Sequence, residues 1–236
     1  MIIIKIIQVL PTLSYGDAVS NDTMNMNEIL EKSGYDTAIY TENIDKRLLT
    51  IVKRITDLSD INKEDIIIYH KAIGTKLSYE LDGINCKKIM RYHNITPGTY
   101  FKKYNKTVFN LVEYGREGLE YASKYIDYSF ADSSYNMQEL VELNYKNVEV
   151  LPILISFDDY AKTPDKKTIE KYNDGITNIL FVGRIAPNKA QEDVIKSFYY
   201  YKKYVNQNSR LIFVGSDNGF ENYSDLLKKL VNELEL

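Results

Sequence analysis

The stretch Asn178 to Gln191, NILFVGRIAPNKAQ, decides how this chain is read. It opens with a short apolar run, Ile179 to Val182, of the kind that forms a buried parallel strand. Gly183 lets the backbone turn, and Arg184 stands just past the strand's C-terminal end. Asn188-Lys189-Ala190-Gln191 has the helix-start pattern of a capping side chain followed three residues later by Gln. Beyond it Val194, Phe198, Tyr201 and Val205 recur on one face of a helix. Arg184 and Lys189 therefore bracket a predicted strand-to-helix turn. A helix N-terminus, a guanidinium and an ammonium converging there make a site for a phosphate or diphosphate. The ordinary alternative is two solvated cations on a loop, and spacing alone leaves both open.

Working outward, 236 residues suffice for one large domain, or for one domain and part of another. Apolar residues make up 44% of the chain, so a packed core is expected rather than disorder. Basic and acidic residues nearly balance, 30 against 33, giving a net charge of −3 without the basic excess of a nucleic-acid binder. A single cysteine, Cys86, allows no intrachain disulfide, which fits a reducing compartment. The N-terminal MIIIKIIQVL is too short to span a bilayer and lacks a cleavage site, so it reads as the first buried strand.

In chain order, strands are expected at Ile2–Leu10, Thr37–Tyr40, Asp65–Tyr69, Lys87–Tyr92, Tyr128–Ala131 and Val148–Leu151. A loop over Pro11–Asp22 leads into a helix that stops near Ser33-Gly34. Further helices are expected over Arg47–Leu58, Asn105–Lys124 and Ser134–Leu143. Pro152 to Asp174, with two prolines and the charged run DKKTIEKYND, reads as a linker with one helical turn. A second strand-helix-strand-helix set follows, ending in a helix over Ser224–Leu236. Short buried strands alternating with helices point to an open, mostly parallel α/β sheet. In such sheets ligands bind outside the carboxyl ends of the strands. The notable polar pairs all fall there: Gly16-Asp17, His70-Lys71, His93-Asn94, Ser133-Ser134 and Gly183-Arg184.

FVGRIAPNKAQEDVIKSF, followed by the strand RLIFVGS, resembles the donor-binding half of the retaining GT-B glycosyltransferases of family 4. YGDAVSND, RYHNITPG, FADSSYNMQEL and VLPILISFDDY resemble further segments of the same family, so the likeness covers Ile2 to about Ser224. The resemblance implies an α/β, GT-B-like fold. Residues 1–155 would form an N-terminal Rossmann-type acceptor domain, 156–175 a linker, and 176–236 the first part of a nucleotide-sugar domain. It implies that Gly183, Arg184 and Lys189 hold the donor diphosphate, with Gly16 reaching towards it. His93 takes the catalytic position at the sugar, and Asp17, His70, Ser133 and Asn136 contact substrate.

Each assignment has a structural alternative in the residues themselves. Asp17 suits a helix start, the histidines suit backbone partners, Lys71 suits solvent, and Ser134 suits a helix cap. No metal is implied, because two separated histidines and one cysteine lack ligand spacing and basic side chains neutralise the diphosphate. No cofactor is implied either; the donor, UDP- or GDP-linked, is a substrate.

The family's second domain carries two glutamates with seven residues between them, and here no Glu has another Glu eight positions on. The chain is therefore expected to be the first two-thirds of a transferase, weak or inactive alone, with a partner chain or self-association completing the second domain. The acceptor implied is a glycan or a lipid-linked sugar in polysaccharide synthesis, in the cytoplasm or at the inner membrane face. A non-catalytic binding module derived from a transferase is the alternative. The loop after the first strand has one glycine where a dinucleotide fingerprint needs three, which argues against a dehydrogenase.

Overall fold

The structure, a computed structural model, describes residues 4–157 and 161–236. Residues 2 and 3 of the expected first strand, and 158–160 of the expected linker, lie outside the described residues. The chain divides into two compact units, Met1–Ile95 with Leu111–Asp158, and Thr96–Asn110 with Asp159–Leu236.

The first unit is built on a parallel sheet: β1 (Lys5–Leu13), β2 (Asp36–Ile44), β3 (Lys53–Arg54), β4 (Ile66–Lys71), β5 (Lys87–Tyr92), β6 (Tyr128–Ala131) and β7 (Val148–Val150). The strand order is β3-β2-β1-β4-β5-β6-β7. The chain leaves β1 to one side and returns on the other, so the topological switch lies between β1 and β4, where open α/β sheets bind ligands. Helix α1 (Ala18–Lys32) follows β1, the short α2 (Leu77–Glu80) follows β4, and α3 (Lys106–Ala122) and α4 (Ser134–Glu142) precede and follow β6.

Side chains alternate across the sheet. Ile6, Ile68 and Met26 of α1 pack together on one face with Leu30, Ile66 and Ile89. Leu10, Leu13, Ile39, Leu48 and Val52 form a second cluster.

Several elements differ from the sequence expectation. β1 runs to Leu13, past Pro11, because Pro11 is skipped in the pairing with β2 and pairing with β4 stops at Val9. Its missing N–H therefore breaks no ladder. Helix α1 begins at Ala18 rather than after Asp22. Residues 47–58 are not a helix, despite helical spacing: two single 3-10 turns flank the two-residue strand β3. Leu48 and Val52 are buried there, while Leu49 and Ile51 are exposed. The apolar spacing thus served an irregular edge rather than a helix face.

The second unit holds a two-stranded parallel sheet, β8 (Thr177–Val182) and β9 (Ser209–Val214). Around it lie α5 (Lys166–Tyr172), α6 (Gln191–Tyr204) and α7 (Glu221–Glu233). Asp165 caps α5 through the Thr168 N–H at 2.9 Å. The sequence put all of 1–155 in the first domain, but Thr96–Asn110 groups with the second unit. Phe101 packs on Phe220 and Tyr104 on Tyr223, with ring centroids 5.4 and 5.3 Å apart. Asn105 Nδ2 donates to the Gly219 carbonyl, and Asn222 Nδ2 to the Tyr104 carbonyl.

Candidate functional site

On the α1 side of the first sheet, the period of two that stacks Ile66, Ile68 and Ile89 continues into His70 and Arg91. Ile6 is likewise followed by Gln8. The register sets Ile68 beside Ile89 and His70 beside Arg91, so a polar layer sits directly on the apolar one. Helix α1 matches it: Met26 meets the apolar layer, and Asp22, one turn earlier, meets the polar one.

Arg91 and Asp22 are both fully buried and pair twice, Nε to Oδ2 at 2.9 Å and Nη2 to Oδ1 at 3.1 Å. Arg91 also donates to the carbonyls of Leu151 and Pro152, and Asp22 Oδ1 accepts from the Leu154 N–H at 2.7 Å. The pair therefore ties β5, α1 and the segment after β7 together. Asp132, just past β6, has Oδ1 3.1 Å from Arg91 Nη1, yet that oxygen takes no hydrogen bond. The contact is charge attraction with poor alignment for a hydrogen bond.

Two histidines close the layer. His70 Nε2 meets Gln8 Oε1 at 2.9 Å, His70 Nδ1 meets His93 Nε2 at 3.0 Å, and His93 Nδ1 meets Asp132 Oδ2 at 3.0 Å. Asp22 Oδ2 lies 3.8 Å from His93 Nε2. Asp22, His70 and His93 thus bring three potential metal-ligating atoms within 4.8 Å of one another.

The contact between the two rings has the geometry of a hydrogen bond. The rings are parallel within 8°, with centroids 5.3 Å apart. That separation equals the 3.0 Å nitrogen gap plus one ring radius on each side, so the rings meet end-on, each nitrogen aimed at the other. Ligands of one tetrahedral ion converge on a common point off the line between them, whereas these two nitrogens point along it at each other. Asp22 is in addition committed to Arg91.

His70, expected past a strand end, is instead inside β4 with no exposed surface. Burial, with His93 and Arg91 nearby, holds its pKa well below the ordinary value. The His93 side chain is 1% exposed while the residue as a whole is half-buried, so its accessible surface is main chain. Asn94 follows in the left-handed region at φ 69°.

Lys71, expected in solvent, is buried and donates to Ser78 Oγ at 2.7 Å and to the Ile73 carbonyl at 3.2 Å. No carboxylate is among those partners, and burial pushes its pKa down to about 7. Gly16, at φ 77°, turns the chain into α1. Asp17 is the α1 cap, its Oδ2 accepting from both the backbone and hydroxyl of Ser20 at 3.0 Å. Ser133, not Ser134, caps α4, accepting from the Asn136 N–H at 3.3 Å, and Asn136 is buried one turn in. The sequence missed Gln8, Asp22, Arg91 and Asp132. Gln8 between Ile7 and Val9, and Arg91 between Met90 and Tyr92, were the local signals of a polar layer.

In the second unit the backbones of the two strand ends cross closely. The N–H of Gly183, at φ 156°, donates to the Val214 carbonyl, and that of Ile185 to the Ser216 carbonyl. A Cβ on Gly215 would fall 1.8 Å from the Gly183 oxygen. Only glycine fits at 215, and the pair fixes where Arg184 leaves the strand.

The expected Asn188 cap is absent: Pro187–Lys189 is a 3-10 turn, Ala190 is left-handed at φ 49°, and α6 begins at Gln191. Gln191 does not reach back to a cap; its Nε2 donates to the Arg184 carbonyl at 2.8 Å, holding the turn shut. Arg184 and Lys189 are both exposed, Arg184 lies 5.6 Å from the Phe220 ring centroid, and neither is ion-paired among the described residues. Glu192 and Asp193 occupy the first turn of α6 and already suit its dipole. The uncompensated positive charge at this turn is therefore that of the two side chains more than that of the helix end.

No protein-family model matches the chain, and no curated protein matches it by sequence. Solved structures do. A glycosyltransferase from Rickettsia africae matches over 99% of this chain and 66% of its own, at 18% identity and TM-score 0.65. HepE of Anabaena, solved with UDP and glucose, matches over 98% and 67%, at 14% identity and TM-score 0.64. WaaG, a glycosyltransferase of lipopolysaccharide biosynthesis, matches over 96% and 68%, at 13% identity and TM-score 0.59. This chain thus spans about two-thirds of the length of these structures. Its fold is that of the GT-B glycosyltransferases, with a seven-stranded parallel sheet in one unit and a two-stranded parallel sheet in the other.

Proposed function

We propose that this chain is part of a retaining, metal-independent glycosyltransferase of the family 4 kind, using a UDP- or GDP-linked sugar. The acceptor is a glycan or a lipid-linked sugar, and no separate cofactor takes part. The carrying observation is the turn after β8. Two exposed cations with no carboxylate partner among the described residues stand at the carboxyl end of a parallel strand, on a backbone crossing that only glycine allows. Arg184 and Lys189 hold the diphosphate and stabilise the negative charge that grows on it as the sugar bond breaks.

In the first unit the reading places the sugar or its acceptor at the carboxyl ends of β1, β4, β5 and β6. Gly16, Ser133 and the main chain of His93 line that end. His70, Asp17 and Asn136 support it from within, through the imidazole pair and the helix starts. Work in the cytoplasm, at or near the inner membrane face, belongs to the same reading. Among the described residues no helix is long and apolar enough to cross a membrane.

Calorimetric titration with UDP, GDP and their glucose conjugates tests it. Each charge-assisted hydrogen bond to phosphate is worth about 1.5–3 kcal/mol, so Arg184→Ala is expected to weaken binding roughly 10–150-fold. Equal affinity in wild type and Arg184→Ala removes the diphosphate assignment. One observation favours a second reading, a non-catalytic module: no glutamate pair with family spacing occurs in the chain. Coding sequence past Leu236 that also lacks such a pair would select that module.

A further inference from the structure

The hydrogen-bond chain through the two histidines fixes how many protons it holds. Gln8 Nε2 donates to the Thr23 carbonyl at 3.1 Å, so the amide oxygen faces His70 and can only accept. His70 Nε2 therefore carries a hydrogen. Asp132 lies 3.1 Å from the Arg91 guanidinium, and a carboxylate is an acceptor only. His93 Nδ1 therefore carries a hydrogen as well. The end-on contact between His70 Nδ1 and His93 Nε2 at 3.0 Å needs one more proton between them. Four ring nitrogens then hold three protons, which makes one imidazole and one imidazolium.

The charges agree with this count. The charged groups facing the pair are Asp22 from α1, Arg91 from β5 and Asp132 after β6, while Gln8 from β1 is neutral. Two carboxylates against one guanidinium leave the buried cluster one positive charge short, and buried charges are normally balanced. A cationic histidine pair restores neutrality. A neutral pair would leave that charge unbalanced and set two lone pairs against each other, or two N–H groups.

We propose that His70 and His93 act as one buried acid sharing a single extra proton held on His93, with His70 and Gln8 as the positioning residues that keep His93 doubly protonated. His93 is the end that faces both carboxylates, Asp132 at 3.0 Å and Asp22 at 3.8 Å. Burial and the neighbouring positive charge keep the proton off His70. The charged strut joins β1, β4, β5 and the turn after β6. It fixes the main chain at His93, the part of that residue that reaches the surface. It does not depend on sugar transfer, and the test below is made without any donor, so the two readings fail separately.

The chain has two histidines, so a long-range proton–nitrogen NMR spectrum of the histidine-labelled full chain contains four ring nitrogens. At about pH 7, near the ordinary midpoint of a histidine, three of the four are expected to be protonated. One ring carries both hydrogens, and the other only the one on Nε2. Asp132→Asn lets an amide N–H face His93 Nδ1, so one ring is expected to lose a proton and leave two neutral imidazoles. Folding of that variant is checked by circular dichroism, and Asp132→Ser serves as the second variant for the same readout. Two neutral rings in the wild type at that pH, or an unchanged proton count in both folded variants, overturn the proposal.

Discussion

Replacing Lys71 with methionine should change the pH dependence of stability in a direction the structure dictates. The ammonium is buried against Ser78 Oγ and the Ile73 carbonyl with no carboxylate partner there, and its pKa falls from 10.5 to about 7. At about 1.4 kcal/mol per pH unit that displacement corresponds to ~5 kcal/mol. The sign follows from proton counts. Below pH 7 both folded and unfolded chains carry the proton, and the full burial cost is present. Between pH 7 and 10.5 the unfolded chain binds a proton that the folded chain does not, so wild-type stability from this group rises with pH. Above 10.5 it is flat.

Lys71→Met removes this dependence and also two hydrogen bonds, worth about 1 kcal/mol each. The variant is therefore expected to be more stable than wild type by ~3 kcal/mol near pH 7. It should lose the advantage as pH approaches 10. Urea unfolding of both proteins across that range measures the difference, in which all other titrations cancel. A difference between variant and wild type that does not change with pH would refute the account of Lys71 as a charge buried without a partner.

Arg91→Met should destabilise by about 3–5 kcal/mol, because it leaves Asp22 buried without its partner. Arg91→Met with Asp22→Leu should recover much of that loss in the same unfolding assay. Gly215→Ala forces a Cβ to within 1.8 Å of the Gly183 carbonyl oxygen. It should separate the ends of β8 and β9, lower the melting temperature of the second unit, and weaken UDP-sugar binding at least as much as Arg184→Ala. Unchanged melting and binding would show that the two strand ends are not held by that crossing.

Legibility in the sequence varied with the range of the interaction that set each feature. Strands β4 and β8 were visible because each carries a short run of β-branched, leucine or aromatic residues followed by a polar or glycine residue, and β5 and β6 because apolar residues in them alternate with polar ones. The reach of β1 past Pro11 was not, since it depends on which edge β4 leaves unpaired. Residues 47–58 had helical spacing, but their buried side chains answer to a cluster supplied by β1 and β2. Ser134 and Asn188 were the expected caps, and in both places the helix starts one or more residues away from where the pattern put it. Ser133 caps its helix, whereas at 188 Pro187 and the left-handed Ala190 postpone the helix to Gln191. Thr96–Asn110 carried no sequence sign of belonging with the second unit, because Phe220 and Tyr223, on which it packs, lie more than 110 residues away.

By itself the sequence determined the alternation of strands and helices and the Gly183-Arg184 turn with Lys189 beyond it. These follow from backbone periodicity and local turn chemistry, which act over a few residues. Only the tertiary structure decided that Asp22 meets Arg91 across 69 residues, that Gln8, His70, His93 and Asp132 form one chain of hydrogen bonds, and that Lys71 is buried. A buried polar group takes its partners from whatever the packing of strands and helices brings within about 3 Å, and that choice is written in no single segment.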